Sequence, residues 1–240
     1  MERICEPELM DEPAQARAYA EADFAASDQA LVERFTDLFG SGSAVGPQIV
    51  DLGCGPGNIT FLLAARFPEA HVLGLDGAAA MLAIAEERRP QAARLRFQQA
   101  VLALGDDQAL RLRAETTGGN VAGAGFSAVV SNSVLHHLHD PAVLWTTVRQ
   151  LAAPGAVLYL QDLRRPASPA ALEALVASQM ATAPEVLRRD YRHSLHAAFT
   201  VPEVAAQLQQ AGLGGLQVQE RGERYLEVWG RLPLTATSAA

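Results

Sequence analysis

The sequence predicts an α/β fold built on a doubly wound, mostly parallel sheet. Three observations carry this. Short apolar runs alternate with helical patterns five times between residues 49 and 163, as repeated strand–helix units require. The first run, Ile49-Val50-Asp51-Leu52, enters a turn with Gly53, Gly55 and Gly57 at alternate positions, and a helical pattern follows at once. The last two runs, 216–219 and 225–229, read as an antiparallel hairpin closing the sheet.

The glycine turn is the functional signal. Without a Cβ, the backbone takes positive φ and a ligand can lie directly on it. Free N–H groups at the start of the next helix favour a polar or anionic ligand group. Asp51, at the strand's end, offers an acceptor to a cationic one.

Bulk properties narrow the field. The chain has 240 residues, 49% hydrophobic and 19% charged, which suits one domain over 1–240 with a full core. A net charge of −8 argues against nucleic acid as a partner, since that needs a concentrated basic surface. All 19 basic residues are arginine, which excludes a Schiff-base lysine and a P-loop lysine. Cys5 and Cys54 are too few for a disulfide framework or a cysteine zinc site. Cys54 is expected to pack within its turn. The acidic N-terminus does not read as a signal peptide, and no apolar run is long enough for a membrane span. A cytoplasmic monomer or homodimer is expected, with no membrane partner.

Residues 1–40 are expected to form a helical cap. Asp11 and Pro13 mark one helix start. From Ser27 a second pattern places Leu31, Phe35, Leu38 and Phe39 on one face. Tyr19 and Phe24 lie between them and lead toward the glycine turn, to pack on the sheet edge or close over a ligand. A helix over 59–67 stops at Pro68, and 71–76 is the second strand. Asp76 ends it, nineteen residues beyond Gly57. That spacing puts its carboxylate where it can accept both ribose hydroxyls of an adenosine.

A helix over 78–89 ends at Pro90, with Met81 on a core face within reach of an adenine. The third strand is 95–100. Residues 105–125 read as an insertion with a short helix near 108–113. The fourth strand, 126–132, leads into Ser133-Val134-Leu135-His136-His137-Leu138-His139. Asp140 and Pro141 start a helix whose Leu144, Val148 and Leu151 face inward. The fifth strand is 156–163. Ser168-Pro169 opens a further helix, 188–196 is a polar segment, and Thr200 with Glu203 forms a capping box for a helix running to Gly212.

The stretch from Asp51 to Gly57 resembles the acid-x-Gly-x-Gly-x-Gly motif of class I S-adenosylmethionine-dependent methyltransferases. The nicotinamide-cofactor fingerprint differs, because Asn58 stands at its third glycine. The passage from Asn132 and His137 through a helix and Pro154-Gly155 to the fifth strand resembles the small-molecule, methyltransferase type 11-like members. The resemblance covers residues 49–163. It implies a seven-stranded sheet with an antiparallel last strand, S-adenosylmethionine as cofactor, and methyl transfer to an O or N of a small organic acceptor. The cofactor residues it implies are Tyr19, Asp51, Gly53, Cys54, Gly55, Asn58, Asp76, Gly77, Met81, Val101, Leu102 and Asn132. One departure is Val101, where the family often carries an acid that touches the adenine; backbone groups at Val101 and Leu102 would replace it. Two other readings are a non-catalytic S-adenosylmethionine-binding module and an NAD-dependent oxidoreductase.

His136 and His137 follow the fourth strand and are expected to face the cofactor's methyl, one of them as general base. Arg164 and Arg165, leaving the fifth strand, are expected to meet the acceptor, with Tyr191, Arg192 and His193 folding back over it. Residues 164–199 would then form a helical lid. No metal is expected, because neighbouring histidines on one short loop should diverge and no carboxylate pair accompanies them.

Overall fold

A computed structural model describes residues 1–7, 11–90, 94–102, 104–115 and 125–234. Seven strands form one sheet: β1 (Gln48–Leu52), β2 (His71–Asp76), β3 (Leu95–Gln99), β4 (Phe126–Asn132), β5 (Ala152–Leu163), β6 (Gln217–Arg221) and β7 (Tyr225–Arg231). Their spatial order is β3-β2-β1-β4-β5-β7-β6. The first five run parallel, and β7 inserts antiparallel between β5 and β6. The expected doubly wound sheet with an antiparallel last strand is therefore present.

Helices α1 (Pro13–Glu21) and α2 (Ala25–Phe39) precede the sheet, and α3 (Asn58–Arg66), α4 (Ala79–Arg88), α5 (Asp106–Glu115) and α6 (Ala142–Leu151) connect its parallel strands. After β5 come α7 (Pro169–Gln179), α8 (Glu185–Ala197) and α9 (Val201–Gln210). Strand alternation sorts the core into two layers. Val50 and Leu52 join Leu144, Trp145 and Val148 of α6 and Val204 and Leu208 of α9. Ile49 turns the other way, toward Leu31 and Phe35 of α2 and Leu63 of α3. Each such side chain contributes about 1.5–3 kcal/mol on burial. Burial on both faces explains why the central strands read as continuous apolar runs.

β2 and β4 flank β1, so successive connections leave β1 in opposite directions. The crevice outside the carboxyl ends of β1 and β4 is where open α/β sheets bind ligands.

Some local expectations change. The polar segment 188–196 lies inside α8, whose Tyr191 and Leu195 point inward at helical spacing while its charges face out. α1 does begin at Pro13, but Asp11 does not cap it; its carboxylate accepts the Ala80 N–H at 3.0 Å and ties the cap to α4. β5 starts at Ala152, four residues early, because Ala152 pairs with Phe126 across a bulge. Residues 116–124, within the expected insertion, and the last six residues lie outside the described residues.

Candidate functional site

The glycine turn binds the two sides of the crevice together. Gly53, at φ 67°, backs onto the loop after β4 so closely that a Cβ there would meet Val134 Cγ2 at 2.1 Å. Gly55, at φ 52°, is different: a Cβ there would meet nothing within 4 Å. Both need the left-handed backbone that glycine takes without strain. One seals a loop contact and the other opens on free space.

Three carboxylates cluster around the turn and its flanks. Asp76 takes the Gly55 N–H on one oxygen and the Ala78 N–H on the other, each at 2.8 Å, and so bridges the loops after β1 and β2. Each oxygen keeps a lone pair for a further donor. Burial raises its carboxyl above the usual range against those two bonds. Asp51 accepts from Thr60 Oγ1 at 2.6 Å and is 1% exposed. Burial pushes it up to about 7, against the Thr60 bond and helped by Asp76 and Asp28. Asp28 of α2 accepts from Asn58 Nδ2 at 3.0 Å, and burial raises it to about 6 against Asn58 and Arg88. Asn58 Oδ1 and Asn132 Oδ1 are both buried without a hydrogen bond. Ser133, next to Asn132, holds φ at 56°, a costly backbone for a residue with a Cβ.

Tyr19 of α1 stacks on Phe24 at 4.9 Å and packs with Met81, Ala16 and Ala78. Burial raises its phenol, and Asp28, Tyr225, Asp162 and Asp76 raise it further. Gly77 gives its carbonyl to Gln99 Nε2 at 3.0 Å. Val101 is 60% exposed and Leu102 packs partly against the core. Cys54 is buried, and burial raises its thiol, in keeping with packing rather than reactivity.

At the other pole, Asp162 of β5 organises the turn Leu135–His137. One carboxylate oxygen accepts the Val134 and Leu135 N–H groups at 2.8 and 2.7 Å; the other lies 2.6 Å from His136 Nδ1. The histidines do not diverge. Their rings lie 4.1 Å apart at 35°, and Glu6 reaches both: its Oε1 is 3.4 Å from His136 Nε2 and 3.1 Å from His137 Nδ1. The expected divergence does not hold, and the carboxylate beside the rings comes from the far N-terminus, where sequence spacing gives no sign of it. Residues 1–7 are pinned across this turn. Arg3 donates to the carbonyls of Ala197, His136 and Leu138 and lies over Phe199, and the Ile4 N–H donates to the His196 carbonyl.

The expected acceptor set is not assembled. Arg165 is buried against Glu203 at 2.6 Å and the Ala198 carbonyl, fastening β5 to the start of α9. Arg164 turns outward to Glu220 and the Glu223 carbonyl on the hairpin. Arg192 pairs with Glu173 of α7, and His193 is exposed beside it. Tyr191 packs with Leu163, Leu172 and Leu195. Helix periodicity sends Tyr191, Arg192 and His193 in different directions, which a stretch read only as polar did not reveal.

Four contributors were missed. Asp28 carried a signal, an acid three residues before Leu31 on the apolar face of α2. Asp162 carried a weaker one, an acid near the end of a buried strand. Glu6 and Arg3 carried none, because their partners lie more than 100 residues away.

With the geometry in place, comparisons align with it. Residues 50–158 match a family model described as a methyltransferase domain. A trans-aconitate 2-methyltransferase of Methylobacterium radiotolerans is 42% identical over 112 residues, 47% of this chain and 36% of that protein. One of Deinococcus radiodurans is 41% identical over 114 residues, 48% of this chain and 37% of that protein. The match thus spans little more than a third of those relatives' length. Among solved structures, an S-adenosylmethionine-dependent methyltransferase of Aquifex aeolicus superposes with TM-score 0.61 at 16% identity, over 92% of this chain and 98% of that one. The plantazolicin methyltransferase BpumL, bound to S-adenosylhomocysteine, does so with TM-score 0.67 at 13% identity, over 92% and 91%. At those identities the structural likeness establishes the fold.

Proposed function

We propose that this chain, which carries a class I S-adenosylmethionine-dependent methyltransferase domain, transfers a methyl group from S-adenosylmethionine to an oxygen or nitrogen of a small organic acceptor. The observations that carry the reading are the open space at Gly55, whose N–H is held by Asp76, and the buried Asn58 and Asn132 oxygens that make no hydrogen bond. A Cβ would fill that space, and buried orphan acceptors call for a ligand's donors. Asp76 would hold the ribose hydroxyls, and the glycine turn would lie along the aminoacyl part. Tyr19 and Met81 would cover the adenosine from α1 and α4. The bound cofactor supplies an activated methyl on a sulfonium.

The chain's own work is orientation and exclusion of water. The caps over 1–40 and 164–199 serve the second task in this proposal. His136 and His137 belong to the acceptor pole, but both stand against carboxylates, and we assign them to holding that pole rather than to removing a proton. A carboxylate acceptor reacts through an ionised oxygen and has no proton to lose. The relatives' name denotes such an acid, so small di- and tricarboxylates are the first acceptors to examine.

Calorimetry against S-adenosylmethionine, S-adenosylhomocysteine and NAD tests the cofactor, with binding of the first two expected. Release of S-adenosylhomocysteine across a panel of small acids, phenols and amines tests the transfer. Binding of NAD alone refutes the reading.

A further inference from the structure

We propose that Glu6, His136 and His137 form a three-ligand site for a divalent cation of the zinc class. The three offer one ligand atom each, all within 4.8 Å of one another. Glu6 Oε1 lies 3.4 Å from His136 Nε2 and 3.1 Å from His137 Nδ1. Zinc–nitrogen and zinc–oxygen bonds of about 2.0–2.2 Å in a tetrahedron put neighbouring ligands about 3.3–3.5 Å apart. The two separations from Glu6 are already close to that spacing, and the two imidazole nitrogens, within 4.8 Å of one another, close in on the ion.

Two observations point to a ligand rather than to a plain ion pair. Glu6 Oε1 and His137 Nδ1 are buried and lie 3.1 Å apart, yet neither makes an aligned hydrogen bond. Buried polar atoms that approach without bonding to each other are ready for a third atom between them. The Glu6 side chain is 10% exposed, so water does not readily satisfy it. His136, in addition, carries the outer partner that metal-bound histidines use. Asp162 Oδ1 lies 2.6 Å from Nδ1 and accepts its proton in a hydrogen bond, which leaves Nε2, facing Glu6, as the ligand atom.

The site is also held in place before any ion arrives. Asp162 fixes the turn through two backbone N–H groups as well as the imidazole. Ser194 Oγ donates to Glu6 Oε2 at 3.3 Å, and Arg3 anchors the N-terminal segment that carries Glu6. With neutral imidazoles, Glu6 and Asp162 outweigh Arg3 in charge, and a dication reverses that excess. Three protein ligands leave one tetrahedral position for water or an acceptor oxygen. The inference does not depend on methyl transfer, since binding is measured without cofactor or acceptor.

Tag-free protein, stripped with a chelator, is titrated with Zn²⁺ against a chromophoric indicator, and with Co²⁺ for its visible band. One equivalent should bind, with the intense absorption of tetrahedral cobalt. E6Q and H137A should each weaken binding at least tenfold, and D162N by about 10- to 100-fold. H193A, at an exposed histidine, should leave binding unchanged. Melting of each ion-free variant shows that it is folded; E6Q, on the N-terminal segment, carries the test if H137A does not fold. No bound equivalent, or unchanged affinity in E6Q, overturns the proposal.

Discussion

Gly53 and Gly55 are both left-handed, but their surroundings differ, so the same substitution should separate folding from binding. At Gly53→Ala, the left-handed backbone costs about 1–2 kcal/mol. The new methyl, 2.1 Å from Val134 Cγ2, adds about 1–3 kcal/mol of overpacking. Urea unfolding of the ligand-free protein should show the sum, about 2–5 kcal/mol. At Gly55→Ala only the backbone cost applies, because nothing lies within 4 Å of the added Cβ. Stability should fall by about 1–2 kcal/mol. S-Adenosylmethionine, lying on that backbone, would meet the methyl instead. A comparable overpacking of about 1–3 kcal/mol weakens binding by roughly 5- to 150-fold. Calorimetry with S-adenosylmethionine and S-adenosylhomocysteine should show the same loss for both. If Gly55→Ala binds within twofold of wild type, the cofactor does not lie on this turn. If it is destabilised as much as Gly53→Ala, the space at Gly55 is not open.

Asp76→Ala removes the acceptor for two backbone N–H groups and for the proposed ribose hydroxyls; cofactor affinity should fall by about 1.5–3 kcal/mol, and an unchanged titration would remove Asp76 from the site. Asp51→Asn keeps an acceptor for Thr60 but not the titrating charge. The folded pKa of about 7 lies above the ordinary 3.8, so the unfolded chain releases its proton first, and wild-type stability falls relative to the variant as pH rises from about 4 to 7. The gap should grow by at most about 4 kcal/mol and then level off, and parallel pH profiles in urea would refute the burial argument. Arg165→Ala should lower the melting temperature through the lost Glu203 bond while leaving the acceptor KM unchanged; a raised KM with intact stability would return Arg165 to the acceptor site.

The parts legible in the sequence are those set by local chemistry. Glycines at alternate positions, an acid at each of two strand ends, and the Thr200–Glu203 box act over a few residues, and all three stand where expected. The sheet followed because strand and helix periods differ. Side-chain direction after β5 did not follow. Arg164 and Arg165 are adjacent yet face the hairpin and α9, since successive side chains of an extended chain point apart. The histidine turn was half legible: His136 and His137 were singled out, but Glu6 meets them only through tertiary folding of the first seven residues.

Charge gives the sharpest distinction between cofactor classes. Asp28, Asp51 and Asp76 share one crevice; burial raises all three, and Asp51 is raised further by the other two. Such a site resists full ionisation when empty and gains from a cation. An anionic dinucleotide would meet this field unfavourably, whereas the sulfonium and ammonium of S-adenosylmethionine oppose it. Asp51, raised to about 7, and Asp28, raised to about 6, keep part of a proton in the crevice somewhat below neutral pH. A bound cation lowers both and expels part of it. S-Adenosylmethionine binding should therefore release a fraction of a proton. Calorimetry reads this as an enthalpy that varies with the buffer's ionisation heat. S-Adenosylhomocysteine, which lacks the sulfonium charge, should release less, and Asp51→Asn should release less with either ligand. Equal proton release by both ligands would show that the sulfonium does not sense these carboxylates, and the cofactor would have to lie the other way round in the crevice.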